Sequence, residues 1–282
     1  MMIRQKFLIQ VPLFVLGVLL VSAASAQTKA TARKVTATTE TRPDLEPKAV
    51  ELLKAMSSRL AAAHTMAFTA VESFESPSRQ GHPVVYGTKT ELILQRPDKL
   101  RVISSADGPP SEFYYDGKIM MAFAPAENLV AIAEAPPTID AALKAAYESA
   151  AIYFPYTDLI VADPYGDAAP GMQLAYYIGK SQLVGDTTTD IVAFVGDGVF
   201  AQIWLGAEDK LPRLIHAVYL DDPLQLRHNL IFSNWQLDPA VPPETFGSAN
   251  AQSAKRIPFS HPNPAPSPGA RPTTKGKPPK SQ

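Results

Sequence analysis

The sequence predicts an α+β fold dominated by one large, curled antiparallel sheet, and three observations carry that prediction. Apolar and polar residues alternate with period two through much of residues 65–235, the pattern of half-buried antiparallel strands. Turn-forming clusters interrupt the alternation at short intervals, among them Ser76-Pro77-Ser78, Arg96-Pro97-Asp98, Asp107-Gly108-Pro109-Pro110 and Asp116-Gly117. Helical periodicity is confined to two stretches, one before residue 64 and one over residues 141–154. Roughly ten short strands and two or three helices imply a large antiparallel sheet with helices packed on one side. A sheet this wide coils because its strands twist. The space under the helices is then either a dense core or a hydrophobic cavity.

Each element has its own signature. Asp44, Glu46 and Pro47 form a helix start, with a capping side chain, first-turn acidic charge and proline near the first turn. Leu52, Met56, Leu60 and Ala63 then make an apolar stripe, with Ser57 and Ser58 on a polar flank. Phe68, Ala70 and Phe74 mark the first strand. In residues 82–95 one face carries Val84, Tyr86, Thr88, Thr90, Leu92 and Leu94, while the other carries Val85, Lys89, Glu91, Ile93 and Gln95. Leu100 with Val102, Phe113-Tyr114-Tyr115, residues 119–124 and residues 129–133 continue the meander. The second helical stretch begins after Pro136-Pro137-Thr138 and ends at Pro155. Further strands are expected over residues 176–184, 190–195, 199–205, 213–220 and 224–235, the last with Leu224, Leu226, His228, Leu230 and Phe232 on one face.

The ends of the chain differ from this body. Arg4 and Lys6 precede an apolar run over residues 7–21, and Ala24-Ser25-Ala26 precede Gln27, the pattern of a secretory signal cleaved after residue 26. The run is shorter than the ~20 residues a membrane-crossing helix needs and contains Pro12. Residues 27–44 read as a flexible linker, residues 45–250 as the folded domain, and residues 251–282 as a disordered tail. That tail holds eight prolines and six basic residues with no acidic one, although the whole chain carries −1. It reads as a solvated spacer or as a tether to an anionic surface, and the body before it is acidic. The chain contains no cysteine, so it has no disulfide framework, thiolate metal site or lipid-attachment cysteine, and its stability must come from a core.

No phosphate-binding loop, nucleophile elbow, zinc-protease helix or dinucleotide-binding glycine pattern is present. His216 and His228 fall within strands and are the pair to weigh as a partial metal site, against the plainer reading of two ordinary strand histidines. The segments Gly185-Asp186-Thr187 and Gly196-Asp197-Gly198 lack the register of a calcium loop and read as hairpin turns. No catalytic residue, metal or cofactor is expected from this search.

The segment Leu92-Ile93-Leu94-Gln95-Arg96-Pro97-Asp98-Lys99-Leu100-Arg101-Val102, followed by Tyr115-Asp116-Gly117-Lys118, resembles the central strands of the LolA/LolB superfamily of periplasmic lipoprotein carriers. It looks in particular like a group of uncharacterised predicted periplasmic proteins in that superfamily, with further support in Gln202-Ile203-Trp204-Leu205, Leu211-Pro212-Arg213, Trp235 and Phe246. The resemblance implies a periplasmic half-barrel with a cavity for acyl chains, and it gives Arg96 the place of an arginine that hydrogen-bonds the lid helices. Phe68, Tyr86, Leu92, Leu94, Leu100, Met121, Phe123, Ile203 and Trp204 are the candidates for the cavity wall. The expected partner is a lipid or acylated protein, bound by a monomer without catalysis and without nucleic acid. A sensor or adaptor that binds a membrane-associated partner protein through the same fold is the alternative.

Overall fold

The computed structural model describes residues 44–260. The expected signal, most of the linker and the tail beyond residue 260 lie outside the described residues. Twelve strands form one sheet in the order β12-β6-β5-β4-β3-β2-β1-β11-β10-β9-β8-β7. Strands β1 (Thr65–Pro77), β2 (Pro83–Gln95), β3 (Lys99–Ala106), β4 (Ser111–Tyr115), β5 (Ile119–Ala124) and β6 (Leu129–Glu134) make one antiparallel meander. Strands β7 (Met172–Ser181), β8 (Thr189–Gly196), β9 (Val199–Gly206), β10 (Pro212–Tyr219) and β11 (Arg227–Leu237) make a second. Antiparallel pairing of β1 with β11 joins the two meanders in the middle of the sheet. The sheet is curled and does not close on itself.

This topology places the helices. Strand β6 lies near one edge and β7 forms the other, so the connection between them must cross the whole sheet. That connection carries α2 (Ile139–Ala150), α3 (Thr157–Ile160) and α4 (Pro164–Ala168). Thr138 caps α2 by accepting a hydrogen bond from the Ala141 amide at 3.3 Å, and Ile139, Ala142, Leu143 and Ala146 form its buried stripe. The helix stops at Ala150, earlier than expected, because Ala151 adopts a left-handed conformation with φ 54°.

Helix α1 (Pro47–Ala61) buries Ala49, Leu52, Leu53, Met56 and Leu60 against the same core. Its N-cap position is held by Glu46 rather than Asp44, and the Glu46 carboxylate accepts from the Tyr177 amide of β7 at 2.9 Å. Ser57, expected on the polar flank, is buried. Its hydroxyl donates to Asp163 at 3.3 Å and accepts from the Tyr165 amide at 2.9 Å, which fastens α1 to the start of α4. A buried hydroxyl survives there because both of its roles are filled.

Two features depart from the expected layout. The ordered body continues past residue 250, through α5 (Ala249–Ser253) and β12 (Lys255–Ile257), which pairs in parallel with β6. The prolines that bar regular structure gather after residue 257, so the first part of the expected tail has free amides to pair. In addition, Ala251 and Ala254 cover Tyr114, Met121, Phe123 and Val130 in a small cluster separate from the main core. The helices therefore do not all lie on one face. Among the described residues no helix is long and apolar enough to cross a membrane.

Candidate functional site

The centre of the concave face is solid. Phe68 meets Trp235, Tyr156 and Phe232 with ring centroids at 4.5, 5.6 and 5.7 Å, and Met66, Leu92, Leu94 and Leu100 fill the space around them. Phe154 stacks on Tyr156 at 5.9 Å and meets Phe113 at 5.4 Å. Of the expected cavity residues, Phe68, Leu92, Leu94 and Leu100 thus belong to this packed core. Tyr86 shares their face but lies near the far end of β2, 45% exposed, against Phe74 at 5.8 Å.

Strand alternation sends three other candidates elsewhere. Met121 and Phe123 sit in the small cluster beneath α5, on the face opposite Met120 and the main core. Ile203 and Trp204 are consecutive and cannot share a face. Ile203 is the inward one. Trp204 pairs with Ile191 and Leu214 on the convex side, and the same row runs on through Ile231 to Val71.

The hollow lies toward the other meander. A cavity of about 300 Å³ opens between α1, the α3–α4 segment and strands β7–β11, at the small end of the ~300–1,000 Å³ of ligand pockets. Leu53, Met56, Leu159, Phe194, Ile203 and Leu230 supply its apolar wall. Space remains because several facing positions are small: Gly196, Ala201 and Ala217 line it where larger side chains would fill it. Ile203 is the one member of the expected set on this wall. Asp158 and Asp167 also line it, and burial, reinforced by Asp167, raises the Asp158 carboxyl above its ordinary value.

A second, more polar hollow of about 560 Å³ adjoins the first, and Tyr153, Pro155, Tyr219 and His228 line both. His228 is 8% exposed, and its Nε2 lies 2.7 Å from Glu72 Oε1 while Nδ1 lies 3.4 Å from the Tyr219 hydroxyl. Both ring nitrogens of His228 thus have a polar partner. His216 occupies the opposite face, bonded to Asn229 at 2.7 Å, and the residue paired with His228 is Ala217. The two histidines therefore form no metal pair, and among the described residues no group of three or more metal-ligating side chains converges. Asp197 and Gly198, both at positive φ, form the two-residue hairpin between β8 and β9.

At the opposite end of the cover, the turn after β2 holds the helices. Arg96 Nη1 donates to the Ile160 carbonyl of α3 at 3.0 Å, and the Ile139 amide of α2 donates to the Pro97 carbonyl at 2.8 Å. Asp140 accepts from the Ala162 amide at 3.1 Å, joining α2 to the segment after α3. Burial pulls the Arg96 guanidinium below its ordinary value, and Asp140 offsets part of that shift. Its Nε and Nη2 are buried without hydrogen-bond partners.

Solved structures similar to this chain include a chain of the Pseudomonas aeruginosa MucA/MucB complex, at 13% identity over 72% of this chain and 62% of that one, with a TM-score of 0.40. A DUF1329 family protein from Desulfovibrio piger matches at 12% identity over 73% and 98% of the two chains, with a TM-score of 0.36. A LolA superfamily protein from Nitrosomonas europaea matches at 9% identity over 71% and 97%, with a TM-score of 0.32. No curated protein sequence matches the chain. Residues 49–260, from α1 past β12, match the sequence profile of one family throughout, and the chain belongs to that family, DUF2092, described as predicted periplasmic protein.

Proposed function

We propose that this protein is a non-enzymatic periplasmic binder or carrier that takes the hydrocarbon part of a lipid or acylated protein into the hollow between α1, the α3–α4 segment and β7–β11. The cavity of about 300 Å³ with Leu53, Met56, Leu159, Phe194, Ile203 and Leu230 on its wall carries this reading. Burial of a hydrocarbon chain there is worth ~0.8 kcal/mol per methylene, enough for useful affinity without a charged anchor. The sequence features that precede the described residues supply the export route, a signal cleaved after residue 26. The Arg96 contact with Ile160 acts as a latch that holds α3 to the sheet, next to the Pro97–Ile139 bond that holds α2, while the loop over residues 151–156 borders the mouth.

A second reading, an adaptor that docks a partner protein, draws on the row Ile191, Trp204, Leu214, Ile231 and Val71 across the convex face, in which Ile231 is 47% and Val71 46% exposed. Native mass spectrometry of the protein taken from its own periplasm separates the two. Copurified lipid of defined mass is the result expected of a carrier. An empty protein that retains a membrane-protein domain would overturn that reading in favour of the adaptor.

A further inference from the structure

The polar hollow that adjoins the apolar one is built to hydrogen-bond and not to neutralise charge. Glu72, Thr90, Ser104, Tyr156, Tyr219 and His228 lie along it. The Thr90 and Ser104 hydroxyls are 3.0 Å apart, and the hydroxyl of Tyr156, a residue 2% exposed, is buried beside Thr90 without a hydrogen bond of full geometry. A polar guest in the hollow can extend this row of hydroxyls through Ser104, which is only partly buried.

Charge narrows the guest further. The cationic side chain on this wall, Arg227, already serves Glu75, through its amide at 2.9 Å and its guanidinium at 3.6 Å. His228 serves Glu72. An anionic head entering here would meet two carboxylates and no uncommitted cation among the described residues of the wall. Each carboxylate already accepts from a basic side chain, Glu72 from His228 and Glu75 from Arg227, so a cationic head would have to compete with them. Hydroxyls remain, together with aromatic faces at Tyr153, Phe154 and Phe74, the combination that suits neutral polyols.

We infer that the ligand is an amphiphile with an uncharged, hydroxyl-rich head, such as a glycoside or glycerol ester, whose hydrocarbon tail fills the apolar hollow while its head lies among Glu72, Thr90, Ser104, Tyr219 and His228. This rests on the carrier reading and specifies its ligand.

Three probes with the same twelve-carbon tail, used below their micelle concentrations on the full chain, test it by calorimetry: dodecyl maltoside, laurate and dodecyltrimethylammonium. The maltoside is expected to bind at least about tenfold more tightly than either charged probe. The variant Ser104→Ala, which changes the polar hollow alone, should erase part of that advantage and leave laurate affinity unchanged, a readout that a general loss of folding would not give. Equal affinity for the three probes, or tightest binding of either charged one, overturns the head assignment and leaves the hydrophobic carrier standing. Binding of none of them overturns the carrier reading, and the head assignment with it.

Discussion

The two halves of the concave face have the same architecture and opposite interiors. At the inner ends of β1–β3 and on β11 the inward positions are large, and Phe68, Phe232, Trp235, Leu92, Leu94 and Leu100 interlock with Tyr156 and Phe154 from the cover. Over β8–β10 the inward positions include Gly196, Ala201 and Ala217, and a hollow remains under the cover. A half-barrel therefore needs no special device to make a cavity; small residues on a few neighbouring strands suffice when the helices above are held at a fixed height by the filled half. The filled half is the scaffold, and the site joins the hollow half to the polar hollow along the outer ends of β1–β3.

Breaking the scaffold gives the largest expected effect. Phe68→Ala removes the ring that touches Trp235, Tyr156 and Phe232 and is expected to lower unfolding stability by ~3–5 kcal/mol, read from urea denaturation. A loss under about 1 kcal/mol would show that this half is not tightly packed. The contrasting change is Ala217→Leu, which adds volume where the structure has room. It should change stability by no more than ~1 kcal/mol, since filling a void avoids the overpacking cost of a dense core. Affinity for dodecyl maltoside should nevertheless fall about tenfold. A variant that binds as tightly as the parent would move the ligand out of this hollow.

The latch links the two halves, and its removal should act on kinetics. Arg96→Met deletes the bond to Ile160, a loss of about 1.5–3 kcal/mol for a hydrogen bond from a charged group, but it also removes two buried donor nitrogens, Nε and Nη2, that have no partner. These terms oppose each other, so stability should shift by no more than ~1 kcal/mol. Dissociation of a bound amphiphile should quicken about fivefold, the factor that corresponds to ~1 kcal/mol. Stopped-flow displacement checks it, and unchanged release would reduce Arg96 to a turn residue.

Sequence alone made the scaffold legible and left the site obscure, for physical reasons. Alternation in residues 82–95 assigns Leu92 and Leu94 to one face, and both lie in the core. Alternation also says that Ile203 and Trp204 face opposite ways, without saying which is inward; the buried pairing of Ile203 with Val192 and Ile215 settles that in space. Met121 and Phe123 look like core residues and are, but their cover comes from Ala251 and Ala254, in a segment whose proline-rich continuation masks its order in the sequence. The hollow depends on where the β6-to-β7 connection crosses the sheet, a long-range fact that no local pattern contains. Its only sequence trace is the run of small inward residues Gly196, Ala201 and Ala217, which signals space only once the strands are known to be neighbours. The Glu72–His228 contact joins residues 156 positions apart and was equally out of reach.

The smallest expected effect lies at the mouth and sharpens the comparison from its edge. Ala151 closes α2 in the left-handed region at φ 54°, with its amide bonded to the Tyr147 carbonyl at 2.9 Å and the Ile152 amide to Ala146 at 3.2 Å. A residue with a Cβ pays ~1–2 kcal/mol there, whereas glycine adopts the conformation freely but loses more chain entropy on folding, by ~0.5–1 kcal/mol. The difference predicts that Ala151→Gly raises stability by ~0.5–1 kcal/mol, measured as a shift in the urea midpoint at constant slope. Because Ala151 is exposed at the rim of the polar hollow and is not among the head contacts, amphiphile affinity should change less than about twofold. A drop in stability would mean that the backbone leaves α2 by another path, and the mouth would then have to be drawn elsewhere along the cover.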